Sequence, residues 1–224
     1  MDWSPLWISV QIAIPATIVT FFLGILAAQK TRKLKKGISH IIDVLFTLPL
    51  VLPPTVVGFL LLILFGKNGI LGNPLNNIGI QIVFTRTAAV IAAVAISFPL
   101  MYRSTKAAFE QVDQNMIYAA RTLKASEYRI FWKIIMPAAL PGVASGTILA
   151  FARALGEFGA TLMIAGNIPN RTQTMPLAIY MAIQGGNGEE AVGWVVILLL
   201  LSFFMILYMN YFTVREKRNI KTGK

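Results

Sequence analysis

The chain has 224 residues, of which 56% are hydrophobic and 13% are charged, and its mean hydropathy is +0.69. These fractions exclude an ordinary soluble protein and indicate an integral membrane protein. The absence of cysteine and the single histidine, His40, exclude disulfides, thiolate metal sites and histidine-rich metal centres. The net charge of +11 would suggest nucleic acid in a soluble protein, but in a membrane protein it marks the cytoplasmic loops, and we expect no nucleic-acid partner.

Five apolar stretches are long enough, or nearly so, to cross a bilayer, for which roughly 20 residues are needed. They are Trp3–Gln29, Val44–Gly66, Thr87–Tyr102, Ile134–Ala152 and Ala191–Val214. The third is short and reaches spanning length if Arg86 extends its charged end to the interface. The sequence therefore predicts an all-α, polytopic membrane protein with about five transmembrane helices in a single domain, residues 1–224.

The basic residues are distributed unevenly between the connecting segments. Of the 20 lysines and arginines, 16 follow the first span, separate the third span from the fourth, or follow the fifth. Because basic loops stay on the cytoplasmic side, we expect the N-terminus outside and the C-terminus in the cytoplasm. On the outer side, Lys67–Gln81 reads as turns, and Gly166–Glu190 contains Met175–Ile183, which is too short to span and forms either a re-entrant or a surface helix.

The cytoplasmic segment 113–136 interleaves polar and basic residues with apolar ones at helical spacing. The first predicted face consists of Met116, Ala119, Ala120 and Leu123, and the second of Tyr128, Phe131, Trp132 and Ile135. Asp113 and Ser126 are suitable N-cap residues, and Pro137 and Pro141 are expected to end the second helix. These two short helices lie on the lipid surface or dock onto another protein. The small side chains of Ala119 and Ala120 favour docking, because they permit close approach.

Two ionisable residues, Arg153 and Glu157, lie in the apolar region at the end of the fourth span. Their i, i+4 spacing lets them face each other on one helix, and charges inside a membrane usually pair or line a water-filled path. The pair is therefore either structural, which we favour, or in contact with a passing anion.

A proline pattern occurs twice near the cytoplasmic start of a span. Pro49-x-x-Leu52-Pro53-x-x-x-x-Gly58 recurs as Pro137-x-x-Leu140-Pro141-x-x-x-x-Gly146, although chance similarity in apolar sequence is an alternative. Proline removes a helical hydrogen bond, so both copies predict kinks that shape packing and a gate. Small or polar residues near these span starts are candidate gate or pathway residues: Thr55, Ser97 and Ser145.

Enzymatic function finds little support in the chain. The phosphate-binding loop pattern fails, because Gly66-Lys67 is followed by Asn68 and Leu61 occupies the position of the first glycine. We see no pair of intramembrane aspartates and no serine–histidine arrangement. A membrane enzyme or scaffold therefore remains a remote alternative to a transporter.

The cytoplasmic segment resembles the loop of bacterial ABC importer permeases, whose pattern is E-A-A, three residues, G, nine residues, I-x-L-P. Here it reads Tyr118-Ala119-Ala120, then Lys124, then Ile134-Ile135-Met136-Pro137. The resemblance implies that the segment couples the chain to an ATPase through Met116, Ala119, Ala120, Leu123 and Lys124. Lys124 departs from the pattern, since glycine there would permit a left-handed turn that lysine adopts less readily.

A second stretch resembles the permeases of oxyanion importers, which share an R-x-x-G-E-[FY]-G core. Arg153–Gly159 matches that core, and Ala154–Thr161 together with Thr174-x-Pro176-x-Ala178-x-Tyr180 is closer to the molybdate type. The resemblance implies a type I ABC importer permease that translocates molybdate across a bacterial or archaeal cell membrane. It also implies a homodimer, separate ATPase subunits that bind ATP, an external oxyanion-binding protein, and no cofactor on this chain. Sulfate/thiosulfate and tungstate permeases are the alternatives.

Overall fold

The computed structural model describes residues 2–222, with side chains described as far as Tyr208, and the elements in this part of the chain are helical. The helices are α1 (Ser4–Arg32), α2 (Lys36–Val51), α3 (Pro54–Phe65), α4 (Gly72–Asn77), α5 (Arg86–Glu110), α6 (Gln114–Thr122), α7 (Glu127–Ile130), α8 (Met136–Leu155), α9 (Gly159–Ala165), α10 (Met175–Gln184) and α11 (Gly188–Thr222). A π-helical turn, Phe131–Ile135, joins α7 to α8.

Four of the predicted spans are confirmed as long apolar helices. They are Ser4–Arg32, Arg86–Glu110, Glu127–Leu155 and, within the described side chains of α11, Gly188–Tyr208. The predicted end of the last span, Val214, lies beyond those side chains. Together with the α2–α3 pair, the chain has up to five spans and is a multi-pass membrane protein.

The second predicted span, Val44–Gly66, is sharply bent, which confirms the kink predicted from the first copy of the proline pattern. The chain bends by 111° between α2 and α3, at Leu52 and Pro53. Both residues are extended, with ψ of 140° and 136°, because each precedes a proline and the ring of a proline disfavours the α conformation of the residue before it. Two consecutive prolines therefore break this span.

The second copy of the proline pattern behaves differently. Pro137 and Pro141 were expected to end a short helix and kink the next, but the helix runs unbroken from Glu127 to Leu155. Pro137 has no N–H to donate to the turn before it, but it stands just after the π turn, where the hydrogen-bond pattern of the helix already changes. In the first copy two residues in a row precede a proline, whereas Pro141 is followed by Gly142. Only Leu140 is therefore disfavoured in the α conformation by a proline after it.

The core is organised around α5, which packs between α1 and α8. Its outer half presents Ala88, Ala89, Ala92 and Ala93, all fully buried. Small side chains let membrane helices approach closely and gain van der Waals contact along their length. A second cluster, nearer the cytoplasmic end, includes Tyr102 and Phe109 of α5 and Phe131 of the π turn.

The outer segments are more helical than expected. Lys67–Gln81, predicted as turns, contains the short helix α4. The helix expected at Met175–Ile183 is α10, which packs against α11 and α1, and Met175 and Leu177 are buried in it. The backbone N–H of Met175 donates to Ser9 Oγ over 2.8 Å, which ties the start of α10 to α1.

Candidate functional site

The cytoplasmic helices begin at the predicted caps. The Asp113 carboxylate accepts a hydrogen bond from the backbone N–H of Asn115, and the Ser126 hydroxyl accepts one from that of Arg129. Such caps satisfy N–H groups that have no partner within the helix. Both N-cap predictions are confirmed.

One face of α6 is turned away from the chain's own core. Met116 is 53% exposed, Leu123 is 82% exposed, and Ala119 is exposed between them. Ile117 is buried and holds the helix to the second core cluster, against which Ala120 is half-buried. Ala120 therefore packs mainly against its own chain, whereas Met116, Ala119 and Leu123 form a surface open to another molecule.

Lys124 forms the turn between α6 and α7 in a left-handed conformation, with φ of +55°. The N–H of Ala125 donates to the carbonyl of Ala120, and the N–H of Lys124 donates to that of Arg121. These two bonds define a Schellman motif, whose left-handed position is most often glycine. Lys124 thus adopts the left-handed turn at the position where the family pattern has glycine.

Replacing Lys124 with glycine should stabilise the chain. A left-handed conformation costs a residue with a side chain about 1–2 kcal/mol, which exceeds the roughly 0.5–1 kcal/mol of extra entropy that glycine loses on folding. We expect a small rise in the midpoint of thermal unfolding in detergent. The control is Lys133→Gly, at an exposed position of the right-handed π turn, which should lower it. A lower midpoint for Lys124→Gly would contradict the strain argument.

The second predicted face is divided between core and solvent. Phe131 and Ile135 are buried, whereas Tyr128 and Trp132 are 76% and 49% exposed. An exposed bidentate ion pair joins the two cytoplasmic helices: Arg121 Nε and Nη2 donate to the carboxylate oxygens of Glu127 over 2.8 and 3.2 Å. The hydrogen bond and charge of Glu127 raise the pKa of Arg121, and the hydrogen bond from Arg121 lowers the pKa of Glu127, so both partners stay charged in neutral solution.

Two broken helices meet within the membrane-spanning region. The start of α3 packs on the start of α9 so closely that a Cβ on Gly58 would lie 2.7 Å from the Cα of Ala160. A Cβ on Gly159 would lie 3.2 Å from the backbone N of Thr55. Glycine at these two positions is what allows the close approach, and Thr55 remains exposed beside it. We call this arrangement the α3–α9 crossing.

Arg153 and Glu157 lie beside that crossing, Arg153 in the last turn of α8 and Glu157 in the break between α8 and α9. Arg153 Nη1 lies 2.6 Å from Glu157 Oε2, and Glu157 Oε1 accepts a hydrogen bond from the backbone N–H of Ala160 over 2.8 Å. The Glu157 side chain is 2% exposed and that of Arg153 is 30% exposed. One carboxylate thus joins the end of α8 to the start of α9.

The other candidate pathway residues occupy different environments. Ser97 is fully buried between α1 and α5, where its hydroxyl lies 3.2 Å from that of Thr20 and donates to the carbonyl of Ala93. It therefore lies in the interior of one chain rather than on a surface that a solute reaches. Ser145 is half-buried, and its hydroxyl donates to the carbonyl of Pro141.

A polar cluster that the sequence did not predict lies at the cytoplasmic end. Lys106 Nζ is 2.5 Å from Asp43 Oδ2, and the Tyr102 hydroxyl donates a hydrogen bond to the same carboxylate. The Tyr102 hydroxyl also contacts the hydroxyl of Thr31. The cluster lines a cavity of about 830 Å³. Its sequence signal was the lone acid Asp43 in α2 and the i, i+4 spacing of Tyr102 and Lys106, but Asp43 is about 60 residues away from both.

Comparison with known proteins gives consistent matches. Residues 20–219 match the family described as "Binding-protein-dependent transport system inner membrane component". The "Putative molybdenum transport system permease protein YvgM" of Bacillus subtilis (strain 168) is 45% identical over 209 residues, 93% of this chain and 92% of that protein. The molybdenum transport system permease protein ModB of Escherichia coli (strain K12) is 38% identical over 218 residues, 97% of this chain and 95% of that protein.

A solved structure supports the same fold. A bacterial ABC transporter involved in the import of the acidic polysaccharide alginate contains a chain that matches with a TM-score of 0.79. The match covers 95% of this chain and 78% of that one, at 15% sequence identity. At this identity the likeness concerns the fold alone.

Proposed function

Because this chain belongs to the family of binding-protein-dependent transport system inner membrane components, we propose that it is the permease subunit of an ABC importer and that its substrate is molybdate. The observation that supports molybdate as the substrate is the 45% identity, over 93% of the chain, to a protein described as a putative molybdenum transport permease. The match extends over almost the whole length of both proteins.

ATP hydrolysis is assigned to a separate subunit, since the chain has no phosphate-binding loop. We propose that this ATPase docks on the exposed face of α6 formed by Met116, Ala119 and Leu123. Two apolar side chains flanking a small one suit a pocket on a partner protein, because the central alanine allows close approach. The unbroken helix from Glu127 to Leu155 would carry movement at this surface into the membrane.

A second copy of the chain and an external oxyanion-binding protein complete the proposed assembly. Of the 16 residues of α2, all in the described part of the chain, none is buried against it. A membrane-spanning segment so little covered by its own chain suits a place between two protomers. The pathway would then run along α2, α3 and the crossing, with Thr55 exposed to it.

Uptake in a strain that lacks its own molybdate importer tests the substrate. Cells that carry this chain with its ATPase and binding protein should accumulate labelled molybdate, and excess unlabelled sulfate should compete poorly. Uptake of sulfate in preference to molybdate would overturn the assignment of the substrate and leave the assignment as a permease standing. Cells that express the ATPase and binding protein without this chain provide the background.

Ala119→Trp tests the docking surface. The added ring should hold the ATPase away from α6, so we expect transport to be lost while the protein still reaches the membrane. Ala120 is unsuitable, since a ring there would disturb the chain's own packing. Gln114→Trp is the matched control. Gln114 is also exposed, but at 100° per residue it lies about 140° around α6 from Ala119, away from the proposed docking surface. Co-purification of the ATPase measures the effect, and an Ala119→Trp variant that retains the ATPase and transports normally contradicts the assignment.

A further inference from the structure

An apolar groove of about 560 Å³ runs between α1 and α2, with α5 as its floor. Its walls include Leu23, Leu26 and Ala27 of α1 and Leu45 and Phe46 of α2, and Lys30 is the single charged residue that lines it. The volume is in the range of about 300–1,000 Å³ that is common for ligand sites. Because the walls are almost entirely apolar, the groove suits a hydrocarbon chain rather than ordered water.

The position of Lys30 defines the headgroup end of the groove. Lys30 lies one turn from the cytoplasmic end of α1, is exposed, and has no ion-pair or hydrogen-bond partner among the described side chains. An ammonium at this depth reaches the interface and attracts the phosphate of an anionic lipid in the cytoplasmic leaflet. An apolar slot with one cation at its cytoplasmic end matches one lipid tail with its phosphate.

A second copy of the chain is less suited to the groove. A helix inserted there would have to bring a carboxylate to Lys30 at the cytoplasmic end of α1. The acidic residue of α2, Asp43, already binds Lys106, whereas an anionic lipid of the cytoplasmic leaflet carries its phosphate at that level. We infer that the groove is a binding site for an anionic phospholipid, such as phosphatidylglycerol, whose tail fills the gap between α1 and α2.

The experiment measures retention of lipid by the purified protein in detergent, using native mass spectrometry. Phosphatidylglycerol and phosphatidylcholine with identical tails are added in parallel to the complex. We expect preferential retention of phosphatidylglycerol, and Lys30→Gln should reduce it about fivefold, as loss of one cation near the membrane surface predicts. Lys33→Gln, a nearby exposed lysine outside the groove, should change retention less than twofold.

Two further variants test the apolar part of the site. Ala27→Leu fills the groove and should reduce retention of both lipids, and Leu26→Trp does the same from a more exposed wall position if Ala27→Leu fails to accumulate. Equal retention of the two lipids by the unchanged protein, or unchanged retention in Lys30→Gln, overturns the proposal. Disulfide cross-linking between two copies through Leu26→Cys also overturns it, because it places a second chain in the groove.

Discussion

Gly58→Ala should destabilise the protein and reduce transport, although alanine normally favours a helix. A Cβ at this position would lie 2.7 Å from the Cα and 2.8 Å from the carbonyl oxygen of Ala160, so backbone rather than a flexible side chain must move. Overpacking of this kind costs about 1–3 kcal/mol. We expect a lower midpoint of thermal unfolding in detergent and reduced uptake of molybdate in cells.

The matched control is Gly37→Ala in α2, where nothing lies within 4 Å of the added Cβ. There alanine should keep or raise the midpoint, because it favours a helix more than glycine does. Adding Ala160→Gly to Gly58→Ala should not restore stability, because the collision involves the backbone. Equal midpoints for Gly58→Ala and Gly37→Ala would show that the crossing is looser than its geometry indicates.

Arg153→Gln should destabilise the protein more than Glu157→Gln does. The first change leaves a carboxylate that is 2% exposed without a counter-charge, at a cost of about 3–5 kcal/mol. The second leaves a guanidinium that is 30% exposed, and the new amide oxygen still accepts the hydrogen bond from Ala160. Thermal unfolding in detergent should therefore rank Arg153→Gln lowest.

The double variant Arg153→Gln/Glu157→Gln should approach the stability of the unchanged protein and keep some uptake, since replacing both partners of a buried pair is often nearly neutral. Arg121→Gln and Glu127→Gln are the control pair, because both partners are about half exposed and such a pair contributes about 0–1 kcal/mol. A double variant that is fully stable yet transports nothing would make Arg153 a residue of the pathway.

Features that depend on neighbours in sequence were predictable. The caps at Asp113 and Ser126 follow from side chains that reach N–H groups two or three residues away. The i, i+4 spacing of Arg153 and Glu157 brings the two charges within reach of each other for the same reason. The proline pattern that includes Pro53 predicted a kink in the same way, and the chain bends there by 111°.

Features that depend on distant packing were not predictable. The π turn at Phe131–Ile135 has no sequence pattern of its own, and it forms where Phe131 and Ile135 are both buried against the core. Asp43 finds its partner Lys106 only once α2 lies on α5. Ser97 looked like a polar residue of a pathway, and its contact with Thr20 of α1 is what places it inside the chain.

The continuity of the helix from Glu127 to Leu155 has a mechanical consequence. At about 1.5 Å per residue its 29 residues form a rod of roughly 44 Å, which is stiff because backbone hydrogen bonds close its turns, apart from those that Pro137 and Pro141 cannot donate. A tilt imposed at the Glu127 end would therefore also move the Leu155 end, because the helix transmits it as one body. The Arg153–Glu157 pair sits at the far end of that rod, where a small rotation at the cytoplasmic surface would become a change in spacing between α8 and α9.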